Sequence, residues 1–458
     1  MSVQLLVDFG STYTKITAVD LKHGLVVGSA SAPTTVKTNV MEGFNAALKM
    51  LESAHPLPGD ITGISACSSA AGGLKMAAIG LVEELTVEAA KRACLGAGAL
   101  VNHVFSHHLN RKDIKTLKDA PIDIILLAGG TDGGNKECII HNAKKLKEAN
   151  LGKPIIVAGN KDAQDDIDLI FENSGTEYYI VDNVMPALRT LNVKEAKHII
   201  RQIFITKIVE AKGIKKAEQT IGDIIMPTPE AVLVAAELLA KGYEEEEGFG
   251  ELMVIDVGGA TTDVHTIGQG FPKRTEVIFK GLQEPFAKRT VEGDLGMRYS
   301  AKALLSLVSP YEFKRYSNYD GDVEAAANKR YENVNYLPEN EAEREFDQAL
   351  ARICCDLSMS RHVGHVEVVY TPLGNMYYQI GKDLSDIQYV IGTGGILINH
   401  PEAKNILQEV NQKSERKLEL RPTDPTILLD QDYILSAMGL LAQKQPKLAL
   451  KLMKKHLV

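Results

Sequence analysis

Two segments 248 residues apart open in the same way, and this internal echo constrains the fold more than any other feature of the chain. LLVDFGSTYTKIT, from Leu5 to Thr17, reads as an apolar strand, a tight polar turn and a second strand. LMVIDVGGATTDVHTI, from Leu252 to Ile267, repeats that succession. Laid on one another without gaps, Asp256 falls on Asp8, Gly258 on Gly10, Thr262 on Thr14 and Val264 on Ile16. A spacing of about half the chain is too long for a solenoid and indicates duplication of a half-domain. At 458 residues the chain also exceeds one ordinary core, so several domains are expected.

The triplet Asp8-Phe9-Gly10 is not that of a protein kinase, because only seven residues precede it and the Gly-rich loop, strand lysine and catalytic loop have no room. Residues 3–67 read as a mixed α/β half-domain, with a helix near 41–53. Helices are expected at 86–96 and 99–117. From 122 to 181, short apolar runs alternate with helical patterns, the mark of βαβ units and a parallel sheet. Residues 194–241 read as a long helical region, and EEEEGFGE, 244–251, as a solvated charged linker. The expected division is 1–85 for the first half of lobe I, 86–193 for an inserted lobe, 194–245 for a connecting helical region and 246–458 for lobe II.

Composition excludes some functions. A net charge of −8 argues against a sequence-independent nucleic-acid grip, which needs clustered Lys and Arg. No apolar run approaches a membrane span, and Met1 runs directly into a strand pattern, so a cytoplasmic protein is expected, with neither nucleic acid nor membrane as partner. Cys67, Cys94, Cys138, Cys354 and Cys355 lack metal-ligand spacing and read as reduced, buried thiols.

A strand followed by a Gly/Ser/Thr turn can offer successive backbone N–H groups and hydroxyls to one anion, as phosphate requires. An Asp just before such a turn would repel phosphate unless it holds Mg²⁺ or its waters. Two matching hairpins and a third Gly-rich turn, GTGG at 392–395, describe a ligand clamped from opposite sides with a metal between the carboxylates.

The order DFGSTYTK, DVGGATTD, GTGG resembles the two phosphate motifs and the adenosine motif of the actin, heat-shock chaperone and sugar kinase superfamily. That resemblance implies an α/β, actin-like ATPase fold with duplicated ribonuclease H-like lobes, here carrying an inserted doubly wound parallel lobe. It implies that Gly10, Ser11, Thr12 and Lys15 approach the terminal phosphates of ATP from one lobe, and Gly258, Gly259, Ala260, Thr261 and Thr262 from the other. Asp8 and Asp256 would position Mg²⁺ and the attacking water, and Gly392, Thr393, Gly394 and Gly395 would pass beneath adenosine. PTPEAVLVAAELL, 227–239, resembles the helix that connects the lobes, making Glu230 a further candidate for orienting water against its reading as an ordinary charge in a first helical turn.

SSAAGGLK, LLAGGTDGGN, TVEGDLGMR and RHVGH, with the nucleotide motifs, are similar over nearly the whole chain to the MutL/GlmL family, the accessory proteins of adenosylcobalamin-dependent glutamate mutase. That likeness implies an ATP-dependent reactivating factor that releases damaged cobalamin from a mutase or aminomutase client. It leaves homo-oligomerisation open. Two rivals are a small-molecule kinase and a filament-forming protein, both on the actin-like fold.

Other motifs carry less. GGTDGGN, 129–135, sits at a strand-to-helix turn of the inserted lobe, where site and plain turn are both open. AGNKDAQDD lacks the last Asp of a guanine-reading motif and reads as a turn capped by Asp162. The pairs His107/His108 and His362/His365 read as surface or capping histidines, since no second ligand cluster accompanies them. TVEGDLGMR and RHVGH are distinctive strings without an evident chemical role.

Overall fold

The computed structural model describes residues 2–10, 12–35, 39–69, 74–211, 224–372 and 374–458. Its two main sheets have one topology. In the first, Ser2–Phe9 is central, Tyr13–Asp20 and Leu25–Pro33 extend antiparallel to one side, and Asp60–Ser68 and Ile224–Pro227 extend parallel to the other. In the second, Leu252–Val257 is central, Thr262–Ile267 and Ala287–Glu292 run antiparallel, and Tyr389–Thr393 and Thr426–Leu429 run parallel. The duplicated hairpins are thus the first two strands of equivalent sheets, in identical register: Asp8 opposes Lys15 as Asp256 opposes Asp263. This is the expected actin-like α/β arrangement of paired lobes.

A third five-stranded sheet, wholly parallel, interrupts the first lobe between its fourth and fifth strands. Its order is Leu100–Ser106, Lys75–Gly80, Ile124–Leu127, Ile155–Val157, Tyr178–Ile180, a doubly wound pattern. The central Ile124–Leu127 is buried at every position, as a sheet covered by helices on both faces requires.

Four expectations are corrected by this arrangement. The boundary at 85/86 cuts this sheet, since Lys75–Gly80 is one of its inner strands. The helix expected at 99–117 is instead the strand Leu100–Ser106 and the helix Arg111–Asp119, because pairing with Lys75–Gly80 captures the β-branched run around Val101 and Val104. The connecting region 194–245 contains a strand, Ile224–Pro227, between the helices Lys194–Ala211 and Thr228–Lys241. The supposed linker is packed: Glu246–Glu247 pairs with Gly242–Tyr243, Phe249 stacks on Tyr389 at 4.8 Å, and Lys447 and Lys454 reach its glutamates.

The lobes share a core. Thr228–Lys241 follows the fifth strand of the first sheet and packs on the second, whereas Leu435–Ala442 follows the fifth strand of the second and packs on the first. Between them Leu6, Val19, Leu239, Val254, Ile391 and Met438 form one buried cluster. The two helices approach so closely at Gly439 that a Cβ there would lie 1.9 Å from the Ala231 carbonyl oxygen. No helix among the described residues is long and apolar enough to cross a membrane.

Candidate active site

Because the equivalent sheets face each other across this pair of helices, both duplicated turns open on one cleft of about 840 Å³. The turns close alike: Gly10 N–H donates to Tyr13 O at 3.0 Å, and Gly258 N–H to Thr261 O at 2.9 Å. The Asp8 carboxylate accepts from Thr228 Oγ1 at 2.6 Å and Ser436 Oγ at 3.2 Å, one donor from the start of each crossing helix. Asp256 accepts no hydrogen bond among the described residues. Burial, with the charge of Asp263 adding to it, pushes Asp256 up to about 7.

Lys15 lies among the acids with its Nζ 3.0 Å from the centre of the Tyr433 ring. Burial pulls its pKa down, while Asp8, Asp256 and Asp430 oppose that shift. Asp430 follows the strand Thr426–Leu429 and accepts from Ile434 N–H at 2.9 Å, Leu435 N–H at 3.2 Å and Thr393 Oγ1 at 3.0 Å. Burial nevertheless raises it to about 6. The arrangement gathers three carboxylates and one ammonium, with Asp8 and Asp430 buried and Asp256 and Lys15 half-buried, flanked by backbone turns able to hold an anion.

TVEGDLGMR acquires a structural role. Met297 N–H bonds Gly258 O at 3.1 Å, and Arg298 N–H bonds Gly259 O at 2.8 Å, so this segment buttresses the second turn. Arg298 is held in turn by Asp347 at 2.9 Å. RHVGH ties two strands of the second sheet together. His362 is fully buried, contrary to the surface role expected for it, with its ring nitrogens 2.6 Å from Thr266 Oγ1 and 2.8 Å from Thr290 Oγ1.

A model of the MutL protein family matches residues 4–457. The chain belongs to the MutL protein family. Protein MutL of Clostridium tetanomorphum is 51% identical to it over 460 residues, with both chains fully covered. Among solved structures, nucleotide-free acetone carboxylase is 13% identical, with a TM-score of 0.40, over 96% of this chain and 70% of that one. A glycerol dehydratase reactivase is 11% identical, with a TM-score of 0.37, over 97% of this chain and all of that one. Gluconate kinase of Lactobacillus acidophilus is 12% identical, with a TM-score of 0.35, over 98% and 92%.

In this MutL-family chain, Asp8, Gly10, Thr12, Lys15, Asp256, Gly258, Gly259, Ala260, Thr261 and Gly395 all line the cleft. Ser11 lies outside the described residues. Thr262 instead anchors its hairpin, donating from Oγ1 to Leu295 O at 2.7 Å. Gly392 is within a strand, and Thr393 is turned to Asp430. Gly394, at φ 98°, lets the chain pass where a Cβ would stand 2.7 Å from Asp256 Oδ1. Glu230 does not line the cleft; it faces Arg201 at 3.4 Å, with burial raising its pKa.

Asp430, Tyr433, Thr228 and Ser436 were not anticipated. TILLDQ, 426–431, offered a signal, being a third apolar strand that ends in Asp. Nor was Arg289, which bonds Asp263 through Nε at 2.8 Å and the carbonyls of Leu95 and Ala99 through Nη1 at 3.3 and 3.0 Å. In the inserted lobe, Asp132 of GGTDGGN is occupied by Lys161 N–H at 3.0 Å and Asn183 Nδ2 at 2.9 Å. The cap expected of Asp162 is supplied by Asn160, whose Oδ1 accepts from Asp162 N–H at 2.9 Å. The described residues hold no group of three or more His, Cys, Asp or Glu arranged for a metal.

Proposed function

We propose that this chain is a cytoplasmic, ATP-dependent reactivating factor that releases damaged cobalamin from an adenosylcobalamin-dependent mutase, such as glutamate mutase or an aminomutase. The observation that carries the proposal is the placement of Asp8 and Asp256, with their turns, on facing walls of one cleft in a MutL-family chain. The turn amides and the hydroxyls of Thr12 and Thr261 would bind the phosphates, and Lys15 would neutralise part of their charge. Tyr336, Pro338 and Ile396 give the cleft an apolar wall suited to a nucleobase.

Mg²⁺ fits the donors present. Asp8 and Asp256 are hard oxygen ligands, and the raised pKa of the unpartnered Asp256 reflects negative charge that a divalent cation would relieve. When bound, the ion would offset the charge of the phosphates. Asp256 would orient the attacking water and accept its proton.

Contacts to phosphate from both lobes exist together only when the cleft is closed, so ATP and its products favour different lobe arrangements. Arg289 would pass that difference on, because the side chain that holds Asp263 also holds the turn at Leu95–Ala99 of the inserted lobe. The test is to inactivate a candidate mutase with a cobalamin analogue and add this protein with Mg·ATP. Activity should recover, and Asp8→Ala or Asp256→Ala should lower ATP turnover by about 100-fold or more and abolish recovery. Equal recovery without ATP would defeat the proposal.

One observation favours a small-molecule kinase as a second reading. The cleft continues past the acids to Leu100, Phe204, Val232 and His265. There His265 is buried and neutral, pushed down to about 3, with Nδ1 lacking a hydrogen-bond partner. Phosphate transfer to a hydroxylated metabolite in preference to water would support that reading.

A further inference from the structure

A second cavity, of about 130 Å³, lies where the inserted lobe, the helix Lys194–Ala211 and the second lobe meet. Six cations line it: Lys91 and Arg92 from the helix Glu88–Gly96, Lys197 from Lys194–Ala211, Lys288 and Arg289 from Ala287–Glu292, and Arg361 from Glu341–His362. Only two carboxylates line it, Glu88 and Glu284.

The pairing of these charges is uneven. Glu88 serves Arg92 at 2.9 Å and, distantly, Lys91 at 3.9 Å, while Glu284 is divided between Lys288 at 2.7 Å and Arg92 at 3.5 Å. Arg289 and Arg361 turn to carboxylates outside the cavity wall, Asp263 for the first and Glu292 and Asp294 for the second. Lys197 has neither an ion pair nor a hydrogen bond among the described residues. Its side chain lies so flat over Gly96 that a Cβ there would stand 2.7 Å from its Cε and 2.9 Å from its Nζ. Burial lowers the pKa of both Lys197 and Lys288, and Lys288 Nζ also donates to His362 O at 2.6 Å.

We infer that this cavity is a binding site for a small oxyanion of the phosphate or sulfate class, held chiefly by Lys197, Lys288 and Arg92. The cavity is far too small for a nucleotide, whereas the larger cleft has room for one. An anion there would give Lys197 the direct hydrogen-bonded contact that Glu230 and Glu237 do not make, and would share the donors now divided over Glu284. It would also tie together three separate parts of the chain. Because Arg289 lines both cavities, the site abuts the candidate nucleotide cleft without depending on what that cleft does.

The test uses the full chain and inorganic phosphate, titrated during thermal unfolding against sodium chloride of equal ionic strength, so that general screening cancels. Phosphate should raise the unfolding temperature saturably. Lys197→Gln should raise the half-saturating concentration about tenfold or more, and Lys197→Arg should preserve it. A shift no greater than that of chloride would overturn the inference. So would a response kept in Lys197→Gln and lost in Lys15→Gln, which would place the anion in the larger cleft.

Discussion

Asp256 sits at the centre of the candidate chemistry because its neighbours leave it poorly compensated. Its raised pKa, from 3.8 to about 7, has a thermodynamic consequence of definite sign. Between about pH 4 and 7 the folded protein binds more protons at this site than the unfolded chain does, so stability falls as the pH rises through that window. In ligand-free protein, Asp256→Asn is expected to raise unfolding free energy at pH 8 by roughly 1–3 kcal/mol, an advantage that shrinks towards pH 4. Denaturant titrations of both proteins at pH 8, 6 and 4 would check this; an advantage independent of pH would contradict the charge assignment. Asp430 shows why one acid of the cluster escaped a motif search. Its partners are backbone N–H groups of the helix that follows and a hydroxyl 37 residues earlier, not a glycine turn.

At the scale of elements, the helix Glu341–His362 supports the second lobe through charge held inside it. Asp347 takes Arg298 and Arg330, and Asp356 takes Arg421 at 2.8 Å together with Tyr316 Oη–H at 2.5 Å. At its last residue, His362 joins two neighbouring strands through Thr266 and Thr290. Replacing it by Phe leaves the buried Thr266 hydroxyl and the half-buried Thr290 hydroxyl without their ring partner, at a cost of about 2–4 kcal/mol in chemical denaturation. A loss below about 0.5 kcal/mol would mean that the hydroxyls find other partners. Some element ends were locally encoded, as in Ser309-Pro310-Tyr311-Glu312, where Ser309 and Glu312 form a capping box. The strand Leu100–Ser106 was not, since its residues acquire strand character by pairing with Lys75–Gly80.

For the whole molecule, the decisive connection is between the candidate nucleotide cleft and the inserted lobe. Arg289 is buried, and its guanidinium is shared between Asp263 and two carbonyls of the insert. Lysine cannot reproduce that fork. Amide hydrogen exchange in residues 88–100 should therefore respond to Mg·ATP in the wild-type protein and lose most of that response in Arg289→Lys. An unchanged response in the variant would assign the coupling to another route, such as the shared core of the two crossing helices.

The amino-acid sequence by itself determined the duplicated hairpins, their register, the Gly-rich turns and the alternating βαβ pattern, because each depends on residues close together in the chain. It did not determine that Lys75–Gly80 and Ile224–Pro227 join different sheets, or that Ser436 reaches Asp8 across 428 residues. Of the two readings open for Glu230, its first-turn position matched the plainer one, and its side chain faces Arg201. Those outcomes were decided by tertiary structure: long-range strand pairing and the crossing of two helices set which polar groups meet, and only there does burial raise the pKa of Asp256 and Asp430 and lower that of Lys15.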